Sequence, residues 1–442
     1  MDRRSWCALR APWVLGATVA VALVPFLAGC ANVTIDTVSH AGDTDGVTAT
    51  TIRVGGMGSI SGFASSDFAP VITGARMYFD RLNAAGGVDG RKIVYAPVID
   101  DGTSPSGDTS AAQQLVQDKV FAVVGVGTPF FTGSSILRAQ AVPTFGLQEN
   151  TNSQWAGPTM FGSGGSFVDS SAPQPQVAFV AQRNHVRHAA VLAYNVAQSS
   201  GGCVSIIAAL KKFHIDTPIV DISIPYGAAS LDADVTRMQQ NGVDFVATCM
   251  DATGNIKLSQ TLQQHGMGSV TQYWLDGYDH QILDNNQAAL DGAYFLLQQT
   301  PFEETALHPG VYPGIDAFNT GLRRYAPRGT EASAPLLSGW VSADLFTQGL
   351  RAIGPNVTRS ALVSAINKFT DYTADGALPP IDWTTAHTSI NSLDCSTFVQ
   401  ARRDQFVPVY GSGRSAYVCF NQRGPSQTTA TTLAVPSGVP GA

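Results

Sequence analysis

Two kinds of side chain in this sequence are placed to do chemistry, thiols and carboxylates. Cys30 closes Leu27-Ala28-Gly29-Cys30, after Arg3, Arg4 and Arg10 and a mostly apolar run from Trp13 to Leu27. The run is short for a membrane span and Pro25 interrupts it. Small residues before the cysteine suit a peptidase that must draw extended chain into a narrow cleft. Residues 1–29 therefore read as an export signal that is removed, not as part of the fold. Cys7 leaves with it, and Cys203, Cys249, Cys395 and Cys419 remain for an oxidising compartment, where four cysteines allow three pairings. Cys203 with Cys249 is favoured because each would lie near the C-terminal end of a neighbouring strand. Cys395 with Cys419 is favoured because it would staple a terminal antiparallel pair, although spacing alone does not decide. With no CxxC and no close Cys/His pair, no metal site is expected.

Catalytic spacings are missing. There is no HExxH, no GxSxG elbow, no Walker lysine motif and no dense carboxylate pair with a suitable partner. Gly56-x-Gly58 follows the first predicted strand, but the third position of a dinucleotide loop falls on Ser61, one short of Gly62, and no acidic residue is placed for a ribose. His185 and His188 sit three apart at the start of a strand and read as surface histidines. Neither an enzyme nor a cofactor is expected. The net charge of −7 becomes −9 once residues 1–29 are removed with three Arg and one Asp, and no basic patch is visible, so nucleic acid is excluded as a partner.

The elements that must position these side chains follow from periodicity. The 442 residues are 44% hydrophobic and 13% charged, with 44 Gly, which suits a globular chain of two domains with many turns. From Thr51 short β-rich runs alternate with helical stretches, the pattern of βαβ units on a parallel sheet. Strands are predicted at 52–56, 92–99, 120–125 and 142–145, and helices at 71–85, 108–118 and 133–140. After Gly162-Ser163-Gly164-Gly165-Ser166 the alternation restarts, with strands at 189–194, 218–223, 243–248, 272–275 and 292–297. Helices are predicted at 175–182, 203–213, 231–241, 255–265, 313–325, 337–353 and 359–368, followed by short antiparallel strands up to Phe420. Residues 30–50 read as a flexible tether and 422–442 as a disordered tail.

Two resemblances then enter. Leu27-Ala28-Gly29-Cys30 resembles the bacterial lipobox, which implies lipidation of Cys30 and tethering at the outer face of the cell membrane, since each buried methylene contributes about 0.8 kcal/mol. Ser61-Gly62, Thr73-Gly74-Ala75, Asn83-Ala84-Ala85-Gly86-Gly87-Val88-Asp89-Gly90-Arg91-Lys92, Asp100-Asp101 and Pro105 together resemble the branched-chain amino-acid-binding family of type I periplasmic binding proteins, the solute receptors of ABC importers. The resemblance runs from about Thr51 to Phe420. It implies an α/β fold of two doubly wound parallel-sheet lobes joined by three crossovers, near Gly165, Gln298 and Gly376. Lobe one would hold residues 51–165 and 299–376, and lobe two residues 166–298 and 377–421. It further implies a monomer that closes about a small solute and presents it to permease subunits.

Local alignment with that family places ligand contacts at Ser61, Asp67, Thr128, Pro129, Gln148, Glu149 and Asn150 in lobe one, and at Ser199, Asp251 and Asp276 in lobe two. The chain departs from the amino-acid receptors at Pro129 and Glu149, because a ligand carboxylate beside Glu149 is disfavoured unless that side chain turns away or is paired. Asp276 matches an acidic position that holds an ammonium group, so a small amino-acid-like or amine- or amide-bearing solute is expected. Phe63, Phe130 and Phe131 are candidate apolar walls or core plugs. The alternative role is an extracellular sensor on the same fold.

Overall fold

The computed structural model describes residues 42–149, 152–167, 173–389, 395–411 and 415–420. The export signal, Cys30, Asn150 and the tail at 422–442 lie outside the described residues.

The first half of the chain is β1 (Thr51–Gly58), α1 (Ser65–Ala84), β2 (Lys92–Asp100), α2 (Pro105–Gln117), β3 (Ala122–Gly127), α3 (Ser134–Ala139), β4 (Thr144–Gly146), α4 (Asn152–Trp155) and β5 (Met160–Gly162). The five strands form a parallel sheet in the order β2-β1-β3-β4-β5. Its central strand β3, Ala-Val-Val-Gly-Val-Gly, is buried at every position, as a strand covered on both faces must be. Val54, Ala122 and Val124 share a core with α1, while Met57, Val123 and Val126 share one with Leu115 of α2 and Leu137 of α3.

The chain continues through α5 (Pro175–Arg183), β6 (His188–Tyr194), α6 (Ala197–Lys212), β7 (Asp216–Ile224), α7 (Asp232–Gln240), β8 (Phe245–Cys249), α8 (Ala252–Gln264), β9 (Thr271–Trp274), α9 (His280–Leu290) and β10 (Tyr294–Leu297). These strands pair in parallel in the order β7-β6-β8-β9-β10, which repeats the order of the first sheet. In each sheet the chain reverses direction beside the first strand, opening a crevice at the strands' carboxyl ends. Helices α10 (Glu304–Leu307), α11 (Pro313–Tyr325), α12 (Ala334–Ile353) and α13 (Arg359–Ile366) follow, and α11 and α12 return to pack against α1. The chain then re-enters the second sheet as β11 (Cys395–Arg402), antiparallel to β10, with β12 (Gln405–Val409) and β13 (Val418–Cys419) paired to β11. The α/β architecture of two doubly wound lobes is thus the one expected from the sequence.

The expectation for the cysteines is met as well. Cys203 and Cys249 join α6 to the end of β8, and Cys395 and Cys419, opposite each other in the β11–β13 ladder, are bonded.

Small residues let α1 and α12 approach closely. A Cβ on Gly74 would stand 1.9 Å from the Leu336 carbonyl oxygen, and one on Gly339 would stand 1.8 Å from that of Val71. Helix starts carry side-chain caps: Ser104 accepts the Gly107 N–H, Ser333 that of Leu336, and Thr358 that of Ala361. Residues 42–50, which the sequence reading gives to the tether, turn onto the first lobe. The Asp43 carboxylate accepts the Ser360 N–H at 2.8 Å and its hydroxyl at 2.7 Å, and Gly46 accepts the Arg53 N–H.

The helix at α9 is absent from the sequence reading because Asn286, at φ −138°, interrupts its apolar stripe. Strand β5 escapes as well, because three residues are too few to show a period.

Candidate functional site

The loops that leave the carboxyl ends of the strands in both lobes meet at a cavity of about 260 Å³. The first lobe contributes Leu147, Gln148 and Glu149 after β4, with Leu337, Ser338 and Val341 on α12. The second contributes Leu275, Asp276, Gly277 and Tyr278 after β9 and Leu296 and Leu297 of β10. Gln298 and Gln299, where the chain leaves β10, and Gln174, ahead of α5, complete the lining. Three predicted residues, Gln148, Glu149 and Asp276, therefore share one cavity. Its size lies near the lower end of small-molecule pockets, and its walls mix aliphatic side chains with a few polar groups.

Electrostatics set this cavity apart. Glu149 is accessible from the cavity yet set deep among protein atoms, and it makes no hydrogen bond among the described residues. Burial, then the charges of Asp276 and Asp67, push its carboxyl up to about 8. Burial and the charge of Asp67 push Asp276 up to about 7, against the Gly277 N–H that its Oδ1 accepts at 2.7 Å. Asp67, on the first turn of α1, is raised by burial and by the charge of Asp251. Four acidic groups, two from each lobe, thus act on one another, and none has a Lys or Arg ion-pair partner among the described residues.

Asp251 is held most firmly. It caps α8 by accepting the Gly254 N–H on Oδ1 at 2.8 Å, and that oxygen also accepts the Tyr194 hydroxyl at 2.9 Å. Its Oδ2 accepts the Tyr226 hydroxyl at 3.0 Å. Burial and the Asp251 charge hold both tyrosine hydroxyls far above the ordinary phenol range. The Tyr194 and Tyr226 rings meet edge to face at 4.8 Å, and Phe63 of the other lobe meets Tyr226 at 6.2 Å.

The remaining predicted residues occupy other settings. Ser61 is exposed; its N–H donates to Asp100 at 3.1 Å and its carbonyl accepts the Thr103 hydroxyl at 2.7 Å. Thr128 is buried, with its oxygen accepting the Phe130 N–H at 3.4 Å and its side chain acting on Asp108. Pro129 follows it, half-buried at the end of β3. Ser199 accepts the Tyr194 N–H at 2.8 Å and donates to the Cys249 carbonyl, so it braces the ends of β6 and β8. Phe131 is a core plug packed on Trp155 with centroids 4.8 Å apart, whereas Phe63 stands 68% exposed at the mouth.

Sequence reasoning passed over Tyr194, Tyr226, Tyr278 and Gln299. Tyr226 carried a signal, an aromatic residue in Pro225-Tyr226-Gly227 just past a strand end. Gln299 carried none, since a buried amide looks like any loop glutamine in sequence.

Tyr278 belongs to a clasp behind the cavity. Its hydroxyl donates to Glu303 Oε2 at 2.6 Å, and Glu303 Oε1 meets His280 Nε2 at 2.9 Å. His280 Nδ1 lies 3.2 Å from the Ala332 carbonyl. Both ring nitrogens face oxygens that accept, so both are satisfied only in the imidazolium. Burial lowers the His280 pKa, but the bond to Glu303 and its charge outweigh this and leave it raised. The clasp ties the start of α9 to the segment that leads into α12.

No group of His, Cys, Asp or Glu among the described residues is arranged to hold a metal ion, and no described helix is long and apolar enough to cross a membrane.

Known proteins share this architecture. A fatty acid ABC transporter substrate-binding protein from Thermomonospora curvata superposes with a TM-score of 0.68 at 15% identity, covering 90% of this chain and 98% of that one. A branched-chain amino acid ABC transporter protein from Thermus thermophilus with bound valine gives 0.66 at 14% identity, covering 82% and 96%. The branched-chain amino acid transporter substrate binding protein from Streptococcus pneumoniae in complex with isoleucine gives 0.63 at 18%, covering 81% and 100%. No curated protein matches the chain. The family described as periplasmic binding protein matches residues 51–405, and with two doubly wound lobes meeting at a polar cavity, the chain belongs to that family, in its type I form.

Proposed function

We propose that this protein is a lipid-anchored extracytoplasmic receptor that captures a small amine- or amide-bearing solute between its lobes and delivers it to an ABC permease. One observation carries the ligand reading: Glu149 and Asp276, one from each lobe, line the same cavity without a basic partner among the described residues. An ammonium group entering between them offsets the burial and the neighbouring acidic charges that raise the two carboxyls, whereas a carboxylate adds a further negative charge. Lobe closure brings the two acids onto the solute from opposite sides. The similar proteins named for fatty acids or found with valine and isoleucine support the receptor role, and the acidic lining argues for a different cargo here. Cys30 would keep the receptor at the membrane face where its permease sits.

A thermal-shift screen over amines, amides, amino acids, sugars and organic acids tests the reading. A ligand that binds only the folded state raises the melting temperature by mass action, by about 2.7 kcal/mol of stability at a hundredfold excess over Kd. Amine-bearing compounds should raise it and simple carboxylates should not. Stabilisation by organic acids alone, or by nothing in any class, overturns the reading.

A further inference from the structure

Two glutamines line the cavity with amide groups that are unmatched in opposite senses. Gln299 is 7% exposed, and its Nε2, a donor, has no hydrogen-bond partner among the described residues. Gln174 Oε1, an acceptor, has none either. The backbone at each position is held, since the Gln299 carbonyl accepts the Thr397 hydroxyl at 2.6 Å and the Gln174 N–H donates to the Ser205 carbonyl at 3.3 Å. Only the amide ends are left over. A buried polar group without a partner costs about 1–3 kcal/mol and is uncommon in a folded core, so two in the lining of one cavity point to a ligand that meets them. The terminal torsion of a glutamine is broad, which lets each amide turn its unmatched atom toward that ligand.

The polarity of these two atoms restricts the group that satisfies them. Gln299 Nε2 needs an oxygen, and an ammonium, which only donates, has none to give it. A carboxylate has the oxygen but adds a negative charge to the cavity that Glu149 and Asp276 already line. A neutral carbonyl meets the donor without that charge. Gln174 Oε1 needs an N–H, which an ester or a ketone lacks and a primary amide carries. A primary carboxamide therefore answers both glutamines at once. Leu275, Leu297, Leu337 and Val341 supply aliphatic wall for a hydrocarbon side chain, and a cavity of about 260 Å³ suits a compact molecule that carries its polar groups close together.

We propose, resting on the amine-receptor reading above, that the ligand is the primary amide of a small aliphatic amino acid, read at its acyl end by Gln299 and Gln174. Its ammonium lies with Glu149 and Asp276, its carbonyl oxygen accepts from Gln299 Nε2, and its amide nitrogen donates to Gln174 Oε1. The two glutamines then decide specificity, separating the amide from the free acid and from the plain amine. Each discrimination has its own cause: the acid meets negative charge, and the amine leaves both glutamine ends unpaired.

Calorimetric titration of the purified receptor with L-leucinamide, L-leucine, L-leucine methyl ester, isopentylamine and 4-methylpentanamide tests this, because these share one hydrocarbon body and differ only in the amine and acyl groups. Leucinamide should bind about tenfold tighter than isopentylamine, the acid or the ester. Gln299→Met and Gln174→Met, which keep the length of the side chain without its amide, should each bring the leucinamide-to-isopentylamine affinity ratio toward one. Losing an unpartnered donor should leave the melting temperature of the empty Gln299→Met receptor unchanged or raised. A clear fall in it shows that the amide is already partnered in the fold and overturns the proposal. Isopentylamine, leucine or the ester binding as tightly as leucinamide overturns the amide inference and leaves the amine receptor standing. Binding of 4-methylpentanamide as tight as that of leucinamide overturns the amine reading instead, and the ammonium contact with it. Failure of every compound to bind overturns both. A ratio unmoved by either substitution places the acyl group elsewhere and also overturns the proposal.

Discussion

The rings of Phe63 and Tyr226 meet edge to face across the mouth of the cleft, centroids 6.2 Å apart, one from the loop after β1 and the other from the loop after β7. An aromatic pair of this kind contributes about 0.5–1.5 kcal/mol beyond its buried area, and the exposure of both rings places this one at the lower end. The contact joins the lobes directly. Phe63→Ala should therefore shift the empty receptor toward open forms, seen as a larger radius of gyration in small-angle scattering. Its melting temperature should change little, and an unchanged radius would show that the ring pair does not hold the lobes.

The pH dependence of the empty receptor has a definite sign. Glu149 and Asp276, raised to about 8 and about 7, hold protons in the folded state that the unfolded chain releases near pH 4. Their contribution to stability is full below that unfolded value and is lost as pH rises through 7 and 8. His280, also raised, acts in the same direction, since its bond to Glu303 is full below the unfolded histidine pKa and lost above the folded one. The melting temperature should fall between pH 5 and 8.5, and Glu149→Gln should flatten the profile and raise stability at pH 8. Affinity for an amine should move oppositely, strengthening with pH as the two carboxyls ionise. Stability that rises over this interval would contradict the assignment.

Arg359 makes a separate, purely structural prediction. The residue is 7% exposed, and its guanidinium donates to the Phe121 carbonyl at 2.9 Å and the Val120 carbonyl at 2.6 Å, pinning the start of α13 to the beginning of β3. Arg359→Met keeps the stem but leaves these oxygens without donors, at a cost of about 3 kcal/mol or more in chemical denaturation. Ligand affinity measured on the folded fraction should be unchanged, because the contact lies at the opposite end of the strands from the cavity.

The two disulfides should separate in their consequences. By loop-closure entropy, bridges spanning 46 and 24 residues contribute about 4 and 3 kcal/mol. Replacing Cys203 and Cys249 by Ser should also weaken ligand binding, because Cys249 ends the strand that leads to Asp251 and its carbonyl accepts the Ser199 hydroxyl. Replacing Cys395 and Cys419 should lower the melting temperature with little effect on affinity, since β13 lies at the edge of the sheet. Equal losses of affinity for the two pairs would refute this division.

Much of the scaffold was legible in the residues themselves. The alternation of β-branched runs with amphipathic stretches predicts nearly every strand and helix, because period is a local property of the chain. Its repetition after Gly165 predicts two similar lobes, and cysteines at strand ends favour the pairings that form. Glu149 and Asp276 could be singled out individually through the family resemblance, which places ligand contacts just past strand ends. Their meeting in one cavity could not, because 127 positions separate them and only the packing of two sheets brings their loops together. The same holds for Tyr226 over Asp251, for Phe63 against Tyr226 and for the unpartnered amide of Gln299. Periodicity determined the lobes; the cleft chemistry was decided by tertiary structure, because charge repulsion, ring contact and burial depend on distances that sequence order does not contain.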